Sequence, residues 1–287
     1  MTRWVYINGR YRRYDDALVH AEDRGFQFAD AVYEVMEVRS GRLVDATRHL
    51  ARLERSLGEL GIPLPMRREG LLGVIGEVVR RNLVRDGLVY MQVTRGAAPR
   101  DFTLPSRDTP PTLVVLARAI VKGTVDKKAE TGISVKTVPE SRWARSDIKT
   151  VMLLPSVLAK AAAKADGAGE AWYVDSRGYV TEGASSNAWI VTEGGKLVTR
   201  PTGHEILPGV TRATLKDVAA EANIEVVERP FTVAEAQAAK EAFITSASTI
   251  LMPVVRIDGH QIGDGRPGEI SRRLRQRFHA VAEQRSI

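Results

Sequence analysis

The chain of 287 residues contains no cysteine, which removes disulfides, thiolate metal sites and a catalytic thiol together. No apolar run approaches the roughly 20 residues needed to cross a bilayer. The opening stretch MTRWVYINGRYRRYDD also lacks the long apolar segment of a signal peptide. A cytoplasmic protein without membrane attachment is expected. Internal repeats and low-complexity tracts are likewise missing, so solenoid and disordered classes are set aside. What is present is ordinary globular material, 44% hydrophobic and 27% charged, in a length that suits two cores better than one.

The net charge of +7 raises the possibility of a polyanionic partner. Lys and Arg do not gather on one face or in one tail. The densest basic stretch, SRRLRQRFHAVAEQ, carries Ile270, Leu274, Phe278 and Val281 at helical spacing, which reads as a docked amphipathic helix with a charged outer face. Steering of small anionic substrates accounts for the charge equally well, and no nucleic-acid partner is expected.

The chain opens as a hairpin about Asn8-Gly9, followed by the strand AVYEVMEVR. From Thr47 the period becomes helical, with Leu50, Leu53, Leu57 and Leu60 on one stripe and Gly61 and Pro63 as the stop. A second helix is expected over about Glu69 to Arg85. The strands LVYMQVTRG and TLVVLARAI flank APRDFTLPSRDTPP, a loop long enough to bind a ligand. The polar stretch 120–130 reads as a connector between a domain at 1–119 and a second at 131–287. The second half alternates strands such as ISVKTVP, AWYVDSRGYVTE, NAWIVT and EAFITSAS with helices after Lys149, at LPGVTR, at TVAEAQAA and at the C-terminus.

Three features of that half are individually ordinary. Lys149, between a polar turn and the apolar run VMLLPSVLA, is either a solvated amine or a buried nucleophile. Glu182 in VTEGASSN reads as a turn carboxylate, and LPGVTR as a helix start. Together they supply more. A helix N-terminus at Val210 and Thr211 offers N–H groups and a hydroxyl to a phosphate. A lysine beside apolar residues can be made neutral by desolvation and form a Schiff base. A carboxylate can keep a ring nitrogen protonated. These are the three requirements of pyridoxal 5′-phosphate.

The order YEV, HLARL, VTRGAAPR, DIKT, VTEGASSN, ILPGVTR and FITSAS resembles the fold type IV pyridoxal-phosphate enzymes, most of all the D-amino acid aminotransferases, from about Trp4 to Phe278. The resemblance implies an α+β fold of two domains, a smaller N-terminal α/β sandwich and a larger C-terminal pseudo-barrel. It makes Lys149 the Schiff-base lysine and proton shuttle, and Glu182 the partner of the pyridine nitrogen. Arg52, Val210, Thr211 and the Ala247-Ser248 loop become the phosphate side, with Ala247 where the family often has Thr. Tyr33, Tyr90 and Arg100 would surround the substrate, Arg100 gripping its carboxylate through both oxygens.

One departure stands out. Relatives of this kind commonly read Arg-x-His in the loop, whereas this chain has Arg100-Asp101-Phe102, and Phe102 cannot donate a hydrogen bond. The activity implied is ping-pong amino transfer between a D-amino acid, such as D-alanine, and a 2-oxo acid. The alternatives of the same fold are an aminodeoxychorismate lyase and a branched-chain or R-amine aminotransferase. A homodimer is implied as well, because type IV sites lie at a domain interface and take part of the pocket from the second subunit.

Overall fold

The computed structural model describes residues 3–121 and 123–287. The chain forms two compact units: Met1–Lys122 with Ile148–Met152 and Glu283–Ile287, and Gly123–Asp147 with Leu153–Ala282. Among the described residues no helix is long and apolar enough to cross a membrane.

The first unit is built on a sheet of seven described strands, in the spatial order Gln284–Ser286, Arg42–Val44, Ala31–Arg39, Gly87–Thr94, Thr112–Ala119, Trp4–Ile7 and Arg10–Arg13. The opening hairpin turns at Asn8 and Gly9, both at positive φ as a tight turn of this kind demands. In the strand Ala31–Arg39 the side chains alternate. Val32, Glu34, Met36 and Val38 are buried and Tyr33, Val35 and Glu37 are half-buried. The paired strand follows suit, with Val89, Met91 and Val93 buried opposite them. The buried face is covered by the helices Ala46–Leu60 and Arg68–Arg81, whose Leu50, Leu53, Leu57, Ile75 and Val78 fill the space between. The leucine stripe read from the sequence is thus the core face, though Leu60 is only half-buried. Gly61 ends the first helix in the left-handed region. The second helix begins at Arg68 and stops at Arg81, short of the expected Arg85, because the chain must turn into the strand that starts at Gly87.

The second unit holds a mixed sheet in the order Val226–Glu228, Leu197–Thr199, Asn187–Val191, Glu241–Ser246, Ile250–Ile257, Ile133–Pro139, Glu170–Val174 and Val180–Gly183, with His260–Gln261 paired to Ile250–Ile257. Trp172, Phe231, Ile244, Met252 and Val254 belong to one buried cluster beside it. The helices Val210–Glu221 and Glu269–Val281 pack on each other and on the strand Glu241–Ser246. In the basic C-terminal helix, Leu274 and Phe278 are buried as the spacing predicts. Arg275 departs from the outer-face expectation: it donates to the carbonyls of Thr249 and Leu251 at 2.6 Å and pairs with Asp126. Asp126 itself lies on the helix Thr124–Thr131, inside the stretch read as a connector.

Gly96 opens the long loop of the first unit at φ +98°, and a Cβ there would sit 2.1 Å from the Pro110 carbonyl oxygen. Replacing it with alanine adds both strain and a backbone clash. We expect Gly96→Ala to lower unfolding stability by at least about 1–3 kcal/mol. Chemical denaturation checks this; an unchanged midpoint would show that the loop can move away at no cost.

Candidate active site

Lys149 is not on a helix. The main chain around it runs as a short antiparallel edge beside the start of the strand Ala31–Arg39: Val32 bridges Thr150, Tyr33 N donates to Lys149 O at 3.0 Å, and Val151 N donates to Ala31 O at 3.1 Å. Lys149 N also lies 3.4 Å from the Ser56 hydroxyl. Backbone pairing therefore fixes the root of the side chain, and Lys149 Nζ ends 4.3 Å from the centroid of the Tyr33 ring. Tyr33 in turn stacks on Tyr90, with ring centroids 5.6 Å apart. The stack follows from the register, since Tyr33 faces Gln92 and Val35 faces Tyr90, which puts the two rings on one face. Tyr90 donates to Gln92 Oε1 at 2.6 Å. Burial, with the neighbouring Tyr33, pushes its hydroxyl up to about 12, so it stays a donor at neutral pH.

Arg52 lies on the opposite side of the same strand, in the helix-covered layer. Its Nε and Nη2 grip Glu34 at 2.7 and 2.9 Å, and His49 Nδ1 lies 2.7 Å from the same carboxylate. All three side chains are buried. Burial alone would raise the Glu34 pKa, but the charge and hydrogen bonds of Arg52, aided by His49, outweigh it and bring it down to about 2. Desolvation lowers the His49 pKa. Arg100 is on the loop, its guanidinium carbon 5.2 Å from the Phe28 ring and 5.8 Å from that of Phe102, which is 84% exposed.

In the second unit Glu182, at the end of the strand Val180–Gly183, is buried. Its Oε1 accepts from Arg142 and from Leu207 N at 3.1 Å, and its Oε2 from Asn187 Nδ2 at 2.8 Å. Arg142 also binds Glu140 and stacks 4.5 Å from the Tyr173 ring. Burial would lower the Arg142 pKa, yet Glu182 and Glu140 outweigh it and hold the guanidinium firmly protonated. The Asn187 amide reaches on to Leu207 O at 3.0 Å, just before the helix that starts at Val210. That helix has no side-chain cap at Gly209, and Val210 and Thr211 are buried at its first turn, where helical N–H groups have no partner inside the helix. The helix packs on the strand Glu241–Ser246, whose hairpin turn carries Ala247 and Ser248. Ser246 Oγ lies 2.8 Å from Thr249 Oγ1 and 3.3 Å from Ser248 Oγ, so the turn presents three linked hydroxyls despite the alanine at 247.

The sequence reading did not single out Arg142, Asn187, Glu34 or His49. Glu34 had a signal: it occupies an inward position in the alternation Val32, Glu34, Met36, Val38, where a carboxylate is out of place without a buried partner. Asn187 lies five residues from Glu182 within VTEGASSN, but nothing in that motif says the two side chains meet, and the contact of Arg142 with Glu182 spans 40 positions.

These groups suit pyridoxal phosphate. Taken unit by unit, the second provides a hydrogen-bonded carboxylate, an uncapped helix start and a hydroxyl-rich turn, and the first a lysine amine set over an aromatic ring. The chain matches the class IV amino-transferase family over residues 31–257. D-alanine aminotransferase of Staphylococcus haemolyticus is 38% identical over 283 residues, covering 98% of this chain and 99% of that protein. The Bacillus licheniformis D-alanine aminotransferase is 37% identical over 270 residues, 94% of each chain. Among solved structures, a branched-chain amino acid aminotransferase in complex with pyridoxamine 5′-phosphate superposes with a TM-score of 0.88 at 25% identity, covering 97% of this chain and 93% of that one. An Escherichia coli branched-chain enzyme superposes at 0.89 and 24% identity, covering 98% of this chain and 94% of that one, a likeness of fold. The chain belongs to the class IV aminotransferases, whose cofactor is pyridoxal 5′-phosphate. The expected α+β fold is the fold of these neighbours.

A buried carboxylate held near 2 makes stability depend on pH. Above the ordinary glutamate value of 4.5 the Glu34 contribution is complete. As pH falls from there towards 2, the unfolded chain takes up the proton and the folded chain does not, so stability is lost. The gap between the two values corresponds to about 3 kcal/mol. Denaturant unfolding of the wild type should show this loss, and Glu34→Gln, weaker at pH 6, should show a correspondingly shallower decline. An identical decline in both proteins would assign the acid sensitivity elsewhere.

Proposed function

We propose that the chain transfers the amino group of a D-amino acid, D-alanine foremost, to a 2-oxo acid. The near full-length identity with D-alanine aminotransferases carries this reading. When bound, pyridoxal phosphate supplies the carbonyl that receives the amino group and the ring that spreads the negative charge left on the α-carbon. Lys149 Nζ would hold the cofactor through that carbonyl, and its free amine would be the base that takes the substrate α-proton and gives it back. The Tyr33 ring beneath the amine fixes where it stands.

Glu182 would accept the ring N–H and keep that proton in place, its own carboxylate held by Arg142 and Asn187. The N–H groups of Val210 and Thr211, the Thr211 hydroxyl, the backbone of Ala247 and the Ser248 hydroxyl would hold the phosphate, and Arg52, whose Nε and Nη2 are taken by Glu34, would act on it through its charge. Arg100 binds the substrate carboxylate through both oxygens, and Tyr33 and Tyr90 flank the substrate. Release of one 2-oxo acid and entry of another complete a ping-pong cycle.

A cytoplasmic homodimer completes the reading. In the first unit Leu18, Phe26, Phe102 and Leu104 are between 66% and 84% exposed, apolar surface that a second copy would cover. Light scattering on the eluting protein should give twice the mass of one chain; a single-chain mass at micromolar concentration argues against this assembly.

The purified protein should be yellow, and D-alanine added without a 2-oxo acid should convert the visible band to that of the pyridoxamine form. Lys149→Ala should bind the cofactor without forming that band and lose activity by several orders of magnitude. A visible band unmoved by D-alanine would retain the cofactor and discard the D-amino acid, whereas a full visible band in Lys149→Ala would discard the anchor.

A further inference from the structure

Within a single chain the loop that carries Arg100 is exposed throughout residues 100–104. An arginine on such a loop has the entropy of a free side chain, and its affinity for a carboxylate is reduced by the cost of ordering it. The main chain here is nonetheless tied down. Arg24, only 4% exposed, donates from Nη1 to the carbonyl oxygen of Asp101 at 2.8 Å, with that of Thr103 at 3.4 Å. These two carbonyls flank Phe102. Asp101 Oδ1 accepts from Thr103 N at 2.9 Å and closes the turn between them.

Arg24 is itself fixed from behind. Its Nε donates to Asp30 Oδ2 at 2.9 Å. The same carboxylate receives both Nε and Nη2 of Arg95, at 2.7 and 3.0 Å. Arg95 in turn caps the carbonyls of Leu60 and Gly61 at the end of the helix Ala46–Leu60. Burial alone would raise the Asp30 pKa, but Arg95 and Arg24 outweigh it and hold the carboxyl below its usual range. Phe28 links the two arginines, its ring 4.7 Å from the guanidinium carbon of Arg24 and 5.2 Å from that of Arg100.

We propose that Arg24 is a positioning residue for carboxylate recognition: it clamps the loop main chain on both sides of Phe102 and so presents Arg100 in one place. Arg24 does not touch the substrate. It removes loop freedom before binding, and its fork geometry is what lets one side chain serve Asp30 and the loop at once. This inference rests on the reading of Arg100 as the carboxylate ligand.

The test compares Arg24→Lys with Arg100→Ala in the holoenzyme. Lysine keeps a charge for Asp30, so the fold is preserved, but a single ammonium cannot also hold Asp101 O. Three quantities are measured: KM and kcat for D-alanine, the inhibition constant of propionate, which has a carboxylate and no amine, and the rate at which hydroxylamine, which has no carboxylate, attacks the bound cofactor. We expect Arg24→Lys to raise KM and the propionate constant by about tenfold, the equivalent of one lost charge-assisted hydrogen bond. The hydroxylamine rate should stay within about twofold.

Arg100→Ala should show the same pattern more strongly. If Arg100→Ala loses carboxylate affinity and Arg24→Lys does not, the positioning role is overturned while the reading of Arg100 stands. If Arg100→Ala changes neither carboxylate quantity, the reading of Arg100 falls and the inference with it. A hydroxylamine rate that falls as far as carboxylate affinity would make Arg24 a general structural residue and overturn the proposal.

Discussion

Two backbone hydrogen bonds, Tyr33 N to Lys149 O and Val151 N to Ala31 O, bring a lysine from far along the chain to the head of the strand Ala31–Arg39. A lysine side chain has four rotatable bonds and a strongly hydrated head, so its root must be rigid if its amine is to be useful. Main-chain pairing supplies that rigidity without a helix. The same strand then separates two kinds of chemistry by simple alternation. Tyr33 points to the face shared with Lys149 and Tyr90, and Glu34, one residue on, points into the helix-covered layer with Arg52 and His49. The strand is thus both the floor of one group and the wall of another.

Buried charge is handled in each unit in the same manner. Glu34 has Arg52 and His49, Asp30 has Arg95 and Arg24, and Glu182 has Arg142 and Asn187. Removing one partner of such a cluster leaves a charge in low dielectric, a far larger cost than the net worth of the pair. Rigid clusters of this kind keep their donors aimed with little reorganisation.

Much of this was legible in the sequence. Leu50, Leu53 and Leu57 follow helical spacing because water exclusion acts on one face, and Asn8-Gly9 announces a turn because few other residues tolerate positive φ. The helix start at Val210 and Thr211 is where LPGVTR suggests, whereas Glu182, read as a turn carboxylate, closes a strand, and the paired edge that holds Lys149 had no local sign. Periodicity could not find Arg24, Arg142 or Asn187. A polar residue reads as surface until its partner is known, and those partners lie up to 79 positions away. The strand Gln284–Ser286 escaped for a related reason: all three residues are exposed and polar, and only pairing with Arg42–Val44 makes them a strand.

The Asn187 amide has a consequence for how the second unit can vary. A Cβ on Gly209 would lie 2.0 Å from Asn187 Oδ1, so the glycine leaves the space that the amide occupies. That amide simultaneously holds the Glu182 carboxylate and the Leu207 carbonyl. Positions 187 and 209 therefore form a single heritable unit. A side chain gained at 209 must push the amide oxygen aside, and that loosens the tether between Glu182 and the chain that leads into the helix at Val210. Lineages or libraries that explore one position without the other are confined to a narrow neighbourhood of sequences.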